Sequence, residues 1–506
     1  MILTQAFHEA MAGKTGQQAV IDRNRSVTYS ELRARVGRLS NFYQKDLPHG
    51  TRVAMLASNS DFFAQTLLAL SNSGNPVLLL DPKDTDESIV TDLRNLQIKN
   101  VLVTNDQVFR MSEMIRRDGL ALSVGEIEKR RAGEYDNAFQ PLPDRPLRDT
   151  DPVLIIRQVD SSSDRAYCFF SHKQVLASHN SFKRFYRFTS NDRMLTTMHW
   201  SHPFALTHGL LLPLFSGAGC VVDPQIESVE EFVDYLAERR ITRFAGPPKF
   251  YFQLLSYCAA KKYTLPGVKS ITVGMGTISL ALRKTYKLLK IPVLRCYGRT
   301  EAVWTLAMDE LESALDIENA RSKPGMGVRL SVLSEDGDEI PGPDRREGRL
   351  AVMTEAMAPT YFHPERKIAE RRNAAYRGTW LKTDDVARLE GEGQNLTVAV
   401  LGKTYDMLFK SGEYLSPRRI DEAARKLEGV ADAAGFVRFD KRKESSFALA
   451  VVSAGPKLNE KDLLDRLKEE LTDEYVPETV HIMDAIPRDT FDSVNRLSLQ
   501  RQFSAG

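Results

Sequence analysis

Four cysteines in 506 residues, Cys168, Cys220, Cys258 and Cys296, are too few and too scattered for a disulfide framework or a CxxC motif, and their scarcity points to a reducing compartment. Charge of one sign is lacking as well. Against 67 Asp and Glu stand 69 Lys and Arg, a net charge of +2, so no field favours a nucleic acid or an acidic membrane. Clusters such as Lys129-Arg130-Arg131 and Lys441-Arg442-Lys443 read as solvated faces. Long apolar runs are missing; the stretch Gly209–Phe215 is far short of the ~20 residues that a membrane span needs. The first residues, MILTQAFHEAMAGKTG, have neither a basic start nor a long apolar core, so no secretory signal is expected. A cytoplasmic protein with neither membrane nor nucleic-acid partners is the expectation. The most local shortage is of glycine, which does not occur between Gly133 and Gly209.

What is present is a globular balance, 42% hydrophobic and 27% charged, in a chain too long for one compact core. Thr28-Tyr29-Ser30-Glu31 is a capping box, after which Leu32, Val36, Leu39 and Phe42 fall at helical spacing. The pattern predicts a strand at 51–56, a helix at 61–71 opened by Asn59 or Ser60, a strand at 76–80, a helix at 87–96 and a strand at 101–103. Such alternation indicates α/β architecture with largely parallel sheets. Further helices are expected over 175–188, 228–240 and 248–260, strands over 243–246, 270–273 and 291–296, and apolar elements over 210–215 and 218–222. Short strands and tight turns over 328–353 suggest a β-rich subdomain. From about Lys403 a helix at 418–427, strands at 433–438 and 446–453 and a helix at 459–472 make a small α+β module.

Within the glycine-free stretch, 153–156 reads as a buried strand, 158–165 as a polar loop and 167–170 as a second strand. Strand, small-residue loop and strand can cradle a phosphate. The cradle ordinarily needs glycines, whose φ > 0 lets backbone N–H groups converge on an anion. Here Ser161, Ser162 and Ser163 supply hydroxyls, and Asp160 and Asp164 flank them.

Several segments together resemble the adenylate-forming superfamily of acyl- and aryl-CoA synthetases, peptide-synthetase adenylation domains and luciferases. Thr28-Tyr29-Ser30-Glu31-Leu32 and Asn59-Ser60 are similar to its opening segment, and Tyr297-Gly298-Arg299-Thr300-Glu301 to its YGxTE. Pro324 and Gly327 fit its GxPxPG, and Gly402-Lys403, Asp406-Met407 and Ser411-Gly412-Glu413-Tyr414-Leu415-Ser416-Pro417 its hinge region. The resemblance implies an N-terminal domain over 1–401, with the β-rich subdomain at about 325–400, and a mobile lid over 402–506 hinged at Lys403 and Asp406. Members join a carboxylate to ATP, giving an acyl-adenylate, and then pass the acyl group to a thiol such as CoA or the phosphopantetheine of an acyl carrier protein.

By the same resemblance, Asp385 matches the carboxylate that holds the ribose hydroxyls, Thr300 an α-phosphate contact and Glu301 a Mg2+ ligand, with Tyr297 and Lys403 beside the nucleotide. Lys403 stands where arginine is usual and loses its planar fork. Other positions depart further. The TSGSTGxPKG segment falls on residues 158–167, so its phosphate-cradling glycines become Asp160 and Ser163, its lysine Ala166 and its last glycine Tyr167. Arg165 offers one replacement charge, and Asp160, Asp164 and Glu301 offer carboxylates to a shared metal. In PRTxxGKVxR the bridging lysine becomes Ser493 and its neighbouring glycine Asp492. The hinge lysine becomes Phe409. Losing a preorganised charge typically costs on the order of 10²–10³ in rate.

The acyl group is expected between 199–215 and the strand before Tyr297, with Trp200, Phe204, Gly274 and Met275 lining an apolar slot. His199, His202 and His208 do not make a metal set, since Pro203 breaks any helical face; His202 is a candidate acid/base in acyl transfer. The expectation is a divergent AMP-binding, acyl-CoA-synthetase-like protein that acts on an activated acyl group, with ATP-dependent adenylation lost or altered. An unorthodox but active ligase and a non-catalytic binding protein stand as alternatives.

Overall fold

The structure, a computed structural model, describes all residues except 24, 130–145, 160–164, 223–227, 275–290, 311–320, 365–367, 371–375, 378–379, 411–412, 440–444, 456–457, 490–492 and 504–506. The capping box forms as the spacing predicts: the Thr28 hydroxyl accepts from the Glu31 N–H at 3.2 Å, and the Glu31 carboxylate accepts from the Thr28 N–H at 2.8 Å. It opens the helix Tyr29–Asp46, which buries Leu32, Val36, Leu39 and Tyr43. Ser60 rather than Asn59 caps the helix Asp61–Ser73. Asn59 instead crosses to the backbone of Met198 and Trp200.

The strands Val53–Leu56, Val77–Leu80 and Asn100–Val103 pair in parallel and are almost wholly apolar, as sheets covered on both faces require. They sit in an eight-stranded sheet that continues through the antiparallel hairpin Pro152–Val159 and Arg165–Ser171. A nine-stranded sheet runs in parallel through Arg193–Thr196, Arg243–Gly246, Ser270–Val273 and Val293–Arg299, and turns antiparallel at Trp304–Glu310. A five-stranded antiparallel sheet contains Arg329–Leu333, Arg346–Met353, Trp380–Glu390 and Thr397–Lys403. Thus the β-rich pattern of 328–353 extends to Lys403.

The last hundred residues build their own three-stranded sheet, Val430–Arg438, Ser446–Ser453 and Thr479–Ile482. Ile420, Phe447, Leu449, Leu463 and Leu467 form a core against it. The hinge-region segment follows directly from the five-stranded sheet, and the Gln500 amide near the C-terminus donates to the Tyr405 carbonyl at 2.8 Å.

The structure refines three expectations. Of the polar loop expected over 158–165, Gln158, Val159 and Arg165 belong to the flanking strands, because ladder pairing continues to Val159 and resumes at Arg165; the residues between lie outside the described ones. The stretch Leu206–Ser216 is helical, with a π-helical segment at Leu206–Leu211, since its apolar residues pack on all sides. The helix expected from Val175 begins at His172, where Ser171 caps it with Gln174. Among the described residues, no helix is long and apolar enough to cross a membrane.

His208 lies buried between hydroxyls: Tyr186 bonds its Nδ1 at 2.8 Å and Thr305 its Nε2 at 2.8 Å, while Tyr186 also bonds Thr272 at 2.7 Å. Burial pushes the His208 imidazole down to about 3, and those of His172 and His179 to about 4. An unfolded histidine titrates near ~6.5, so between these values the unfolded chain binds more protons than the folded one, and stability falls as pH drops below that value. The thermal midpoint, followed by circular dichroism, is expected to decline from pH 7 to pH 5. His208→Gln, which keeps a hydrogen-bonding amide and does not titrate, should flatten that decline; an unchanged slope would place the acid sensitivity elsewhere.

Candidate functional site

The candidate site gathers at the end of the strand Val293–Arg299. Successive strand residues face opposite sides, so Tyr297 and Arg299 face one side together. They meet Asp385: the Tyr297 hydroxyl donates to its Oδ2 at 2.6 Å and the Arg299 Nη1 at 3.1 Å. Asp384 and Asp385 approach the same guanidinium although they are sequence neighbours, because the strand Trp380–Glu390 bulges against Arg346–Met353 between the pairs Ala351↔Lys382 and Arg349↔Val386. The Thr383 hydroxyl fills the bulge, donating to the Leu350 carbonyl at 2.8 Å and accepting from the Asp385 N–H at 3.1 Å.

Arg299 is the centre of the cluster. Its Nη1 donates to Asp384 Oδ1 at 2.5 Å, its Nη2 to Glu301 Oε1 at 2.9 Å and its Nε to Glu301 Oε2 at 3.4 Å. Lys403, cross-strand partner of Asp385, adds a second cation at 2.8 Å from Asp385 and 3.2 Å from Asp384. Burial opposes charge on both cations, but the facing carboxylates outweigh it, raising Arg299 well above and Lys403 above their ordinary values. For Asp384, burial acts upward, yet Arg299 and Lys403 hold its carboxyl well below the usual carboxylate range. Burial, together with the Asp385 charge, raises the Tyr297 phenol and keeps it a donor.

Thr300 and Glu301 open a short 3-10 turn directly after the strand, and the Glu301 carbonyl is anchored by the Ala358 N–H at 2.8 Å. Gln158 reaches Glu301 from the hairpin, with Nε2 donating at 3.2 Å. This contact fixes which hairpin face meets the site. Gln158 is paired with Ala166, so Ala166 lies on the face that meets Glu301. Arg165 and Tyr167 lie on the other face with Arg157. All three converge on fully buried Asp92, at 2.8 Å, 2.7 Å and 2.7 Å. Arg165 therefore does not supply the replacement charge suggested by its place in the sequence, because a one-residue offset in a strand inverts direction. Asp160, Ser161, Ser162, Ser163 and Asp164 lie outside the described residues, as do Met275 and Asp492.

Among the residues expected to line an acyl slot, Phe204 packs against Gly274: a Cβ there would stand 2.7 Å from the Phe204 ring and 2.8 Å from the Cys296 sulfur. Trp200 lies in a different core, edge-on to Phe63 at 5.5 Å. The His202 Nδ1 accepts from the Phe204 N–H at 3.1 Å, and burial lowers its pKa to about 3, so the ring is neutral near pH 7. Trp304, which sequence reasoning passed over, stands edge-on to His202 at 5.2 Å and to Phe204 at 6.0 Å. Its backbone is strained: Val303 and Trp304 have φ of 52° and 84°. The Thr207 and Ser178 hydroxyls hold the Val303 carbonyl at 2.8 and 3.3 Å, and Gly298 admits the turn because a Cβ there would meet the Trp304 carbonyl oxygen at 2.3 Å.

The remaining sequence candidates lie toward the C-terminus. Asp406 is in a 3-10 turn after Lys403; burial raises its carboxyl, and its Oδ1 is buried without a hydrogen-bond partner. Ser493 sits in a turn with Asp489, its N–H donating to Oδ1 at 2.9 Å. Sequence reasoning missed roles for Arg299, Asp384 and Gln158. A signal existed for the first: a charged residue two places after Tyr297 in a strand points where Tyr297 points.

The family described as AMP-binding enzyme matches residues 7–362. A 3-[(3aS,4S,7aS)-7a-methyl-1,5-dioxo-octahydro-1H-inden-4-yl]propanoyl:CoA ligase of Rhodococcus jostii is 23% identical, over 96% of this chain and 95% of its own length. Among solved structures, ATP-bound MatB from Rhodopseudomonas palustris superposes with a TM-score of 0.82 at 20% identity, covering 99% of both chains. The o-succinylbenzoate CoA synthetase of Bacillus subtilis, in complex with its acyl-adenylate intermediate, gives 0.81 at 18% identity, covering 98% of this chain and 97% of that one.

Removal of Asp92 should leave Arg165 without its carboxylate partner and close to Arg157, which keeps only Asp84. Asp92→Ala is expected to destabilise the fold by on the order of 3 kcal/mol, seen as a lower urea midpoint at unchanged slope. A midpoint within error of wild type would show that Arg165 is not committed to this contact.

Proposed function

The chain belongs to the family of AMP-binding enzymes, with an acyl-CoA-ligase-like fold, and we propose that it binds AMP or an acyl-adenylate and handles an already activated acyl group, with ordinary ATP-dependent adenylation lost or strongly weakened. One observation carries this reading: the cations around the site are committed to carboxylates of the protein itself. Arg157 and Arg165 face Asp92, while Arg299 and Lys403 face Asp384 and Asp385. A triphosphate brings about four negative charges into a region that also carries Asp160 and Asp164 in sequence and lacks the loop and tail lysines. A nucleoside monophosphate or its acyl ester asks for far less. Its ribose diol needs acceptors, which Asp385 offers once Tyr297 or Arg299 yields a bond.

Phe204, Gly274 and Trp304 support an apolar acyl or aryl group at the other end of the ligand, with CoA or a carrier pantetheine as the thiol. In this reading residues 402–506 turn about Lys403 and Asp406 between two arrangements of one site. Neutral His202, beside Trp304, serves as a wall rather than as a strong base. A second reading, a working ligase of unusual design, draws on the relatives, which are named as CoA ligases and synthetases.

The deciding measurement is carboxylate-dependent pyrophosphate exchange over a panel of acids, beside calorimetric titration with AMP and a stable acyl-adenylate mimic. No exchange, binding of AMP and the mimic, and about tenfold or greater weakening in Asp385→Ala are expected, since a charged hydrogen-bonding group contributes ~1.5–3 kcal/mol. Robust exchange would select the working ligase. Failure of both ligands to bind would remove the nucleotide pocket.

A further inference from the structure

Glu301 is, by family resemblance, the residue that would hold a divalent ion, but its surroundings do not fit one. A hard cation wants several carboxylate, carbonyl or water oxygens with free lone pairs. Glu301 gives one oxygen to Arg299 Nη2 at 2.9 Å and to Gln158 Nε2 at 3.2 Å, and the other faces Arg299 Nε at 3.4 Å. A guanidinium across both oxygens of a carboxylate is a paired-donor contact with fixed geometry, and it puts a permanent positive charge where the ion would sit. The same guanidinium also contacts Asp384 and Asp385, so it cannot leave Glu301 without disturbing the ribose end. Its side chain is 14% exposed and that of Glu301 6%, leaving little water to screen a second cation. Among the described residues, no group of three or more His, Cys, Asp or Glu side chains could hold a metal ion.

We infer that Arg299 is a resident cation standing in for the divalent ion at Glu301, so that this site takes a metal-free nucleoside monophosphate or acyl-adenylate and rejects a metal–triphosphate. The ligand class rests on the nucleotide reading above; the exclusion of metal does not. Arg299 thereby links the two ends of the site: one side chain neutralises Glu301 and orients Asp385. It also separates this chain from a merely damaged ligase, because charge lost with the lysines is partly restored from a new position and aimed at the acids rather than at phosphate.

The test uses the full chain and Mn2+ as the probe, with free Mn2+ read by electron paramagnetic resonance and no nucleotide present. Wild type should bind no Mn2+ that depends on Glu301. Arg299→Gln, which removes the cation that lies across both oxygens of Glu301, should gain a Mn2+ site at least about tenfold tighter than any in wild type, and the further change Glu301→Gln should abolish it. In parallel, wild-type AMP affinity should be the same in EDTA and in magnesium. Mn2+ bound by wild type and lost in Glu301→Gln would overturn the inference, as would Arg299→Gln gaining no Mn2+. If Arg299→Gln does not fold, the two wild-type measurements and Glu301→Gln still decide it. Failure of AMP to bind at all would sink the nucleotide reading while leaving the Mn2+ result to judge Arg299 by itself.

Discussion

A buried guanidinium held by three carboxylates is the interaction on which the site depends. Arg299 joins the strand Val293–Arg299 of the nine-stranded sheet to the strand Trp380–Glu390 of the five-stranded sheet, through Asp384 and Asp385. It also closes on Glu301 in the turn after its own strand. Removing a buried partner from such a set leaves charge without compensation, so each member constrains the others. The orientations of Asp384, Asp385 and Glu301 are all tied to where this one side chain points.

The hairpin Pro152–Val159 and Arg165–Ser171 shows a second constraint, the alternation of a strand. One face carries Gln158, Ala166 and Cys168 toward Glu301; the other carries Arg157, Arg165 and Tyr167 toward Asp92. The surroundings of Glu301 and the packing of the helix Asp86–Asn95 are thus served by alternate residues of the same two strands. Ala166 brings no charge to the face that meets Glu301, and the neighbouring Arg165 cannot supply one from the opposite face.

The segment around Trp304 rests on backbone strain. Val303 is β-branched and still holds a positive φ, a conformation of about 1–3 kcal/mol that persists because Thr207 and Ser178 bind its carbonyl and Gly298 leaves room. The strain sets Trp304 edge-on to His202 and Phe204 and shapes a wall from two separate segments.

Much of the fold was legible in the sequence because its signals are local. The Thr28–Glu31 capping box, the all-apolar parallel strands and the alternation of helix and strand each depend on a few neighbouring residues and came out within a residue or two. The family motifs likewise located Tyr297, Glu301 and Asp385. The misreadings arose where direction or distance decides. Arg165 looked available because sequence does not say which face a strand residue takes until the register with Pro152–Val159 is fixed. Asn59 and Ser60 were equivalent as caps until Asn59 was drawn to Met198 and Trp200. Arg299 stood in plain sight inside a motif, but two of its three partners, Asp384 and Asp385, are 85 and 86 residues away. By itself, then, the sequence determined most of the elements and the family. Only the tertiary structure decided where the remaining charges go, because pairing among distant charges depends on which sheets meet and which faces they present.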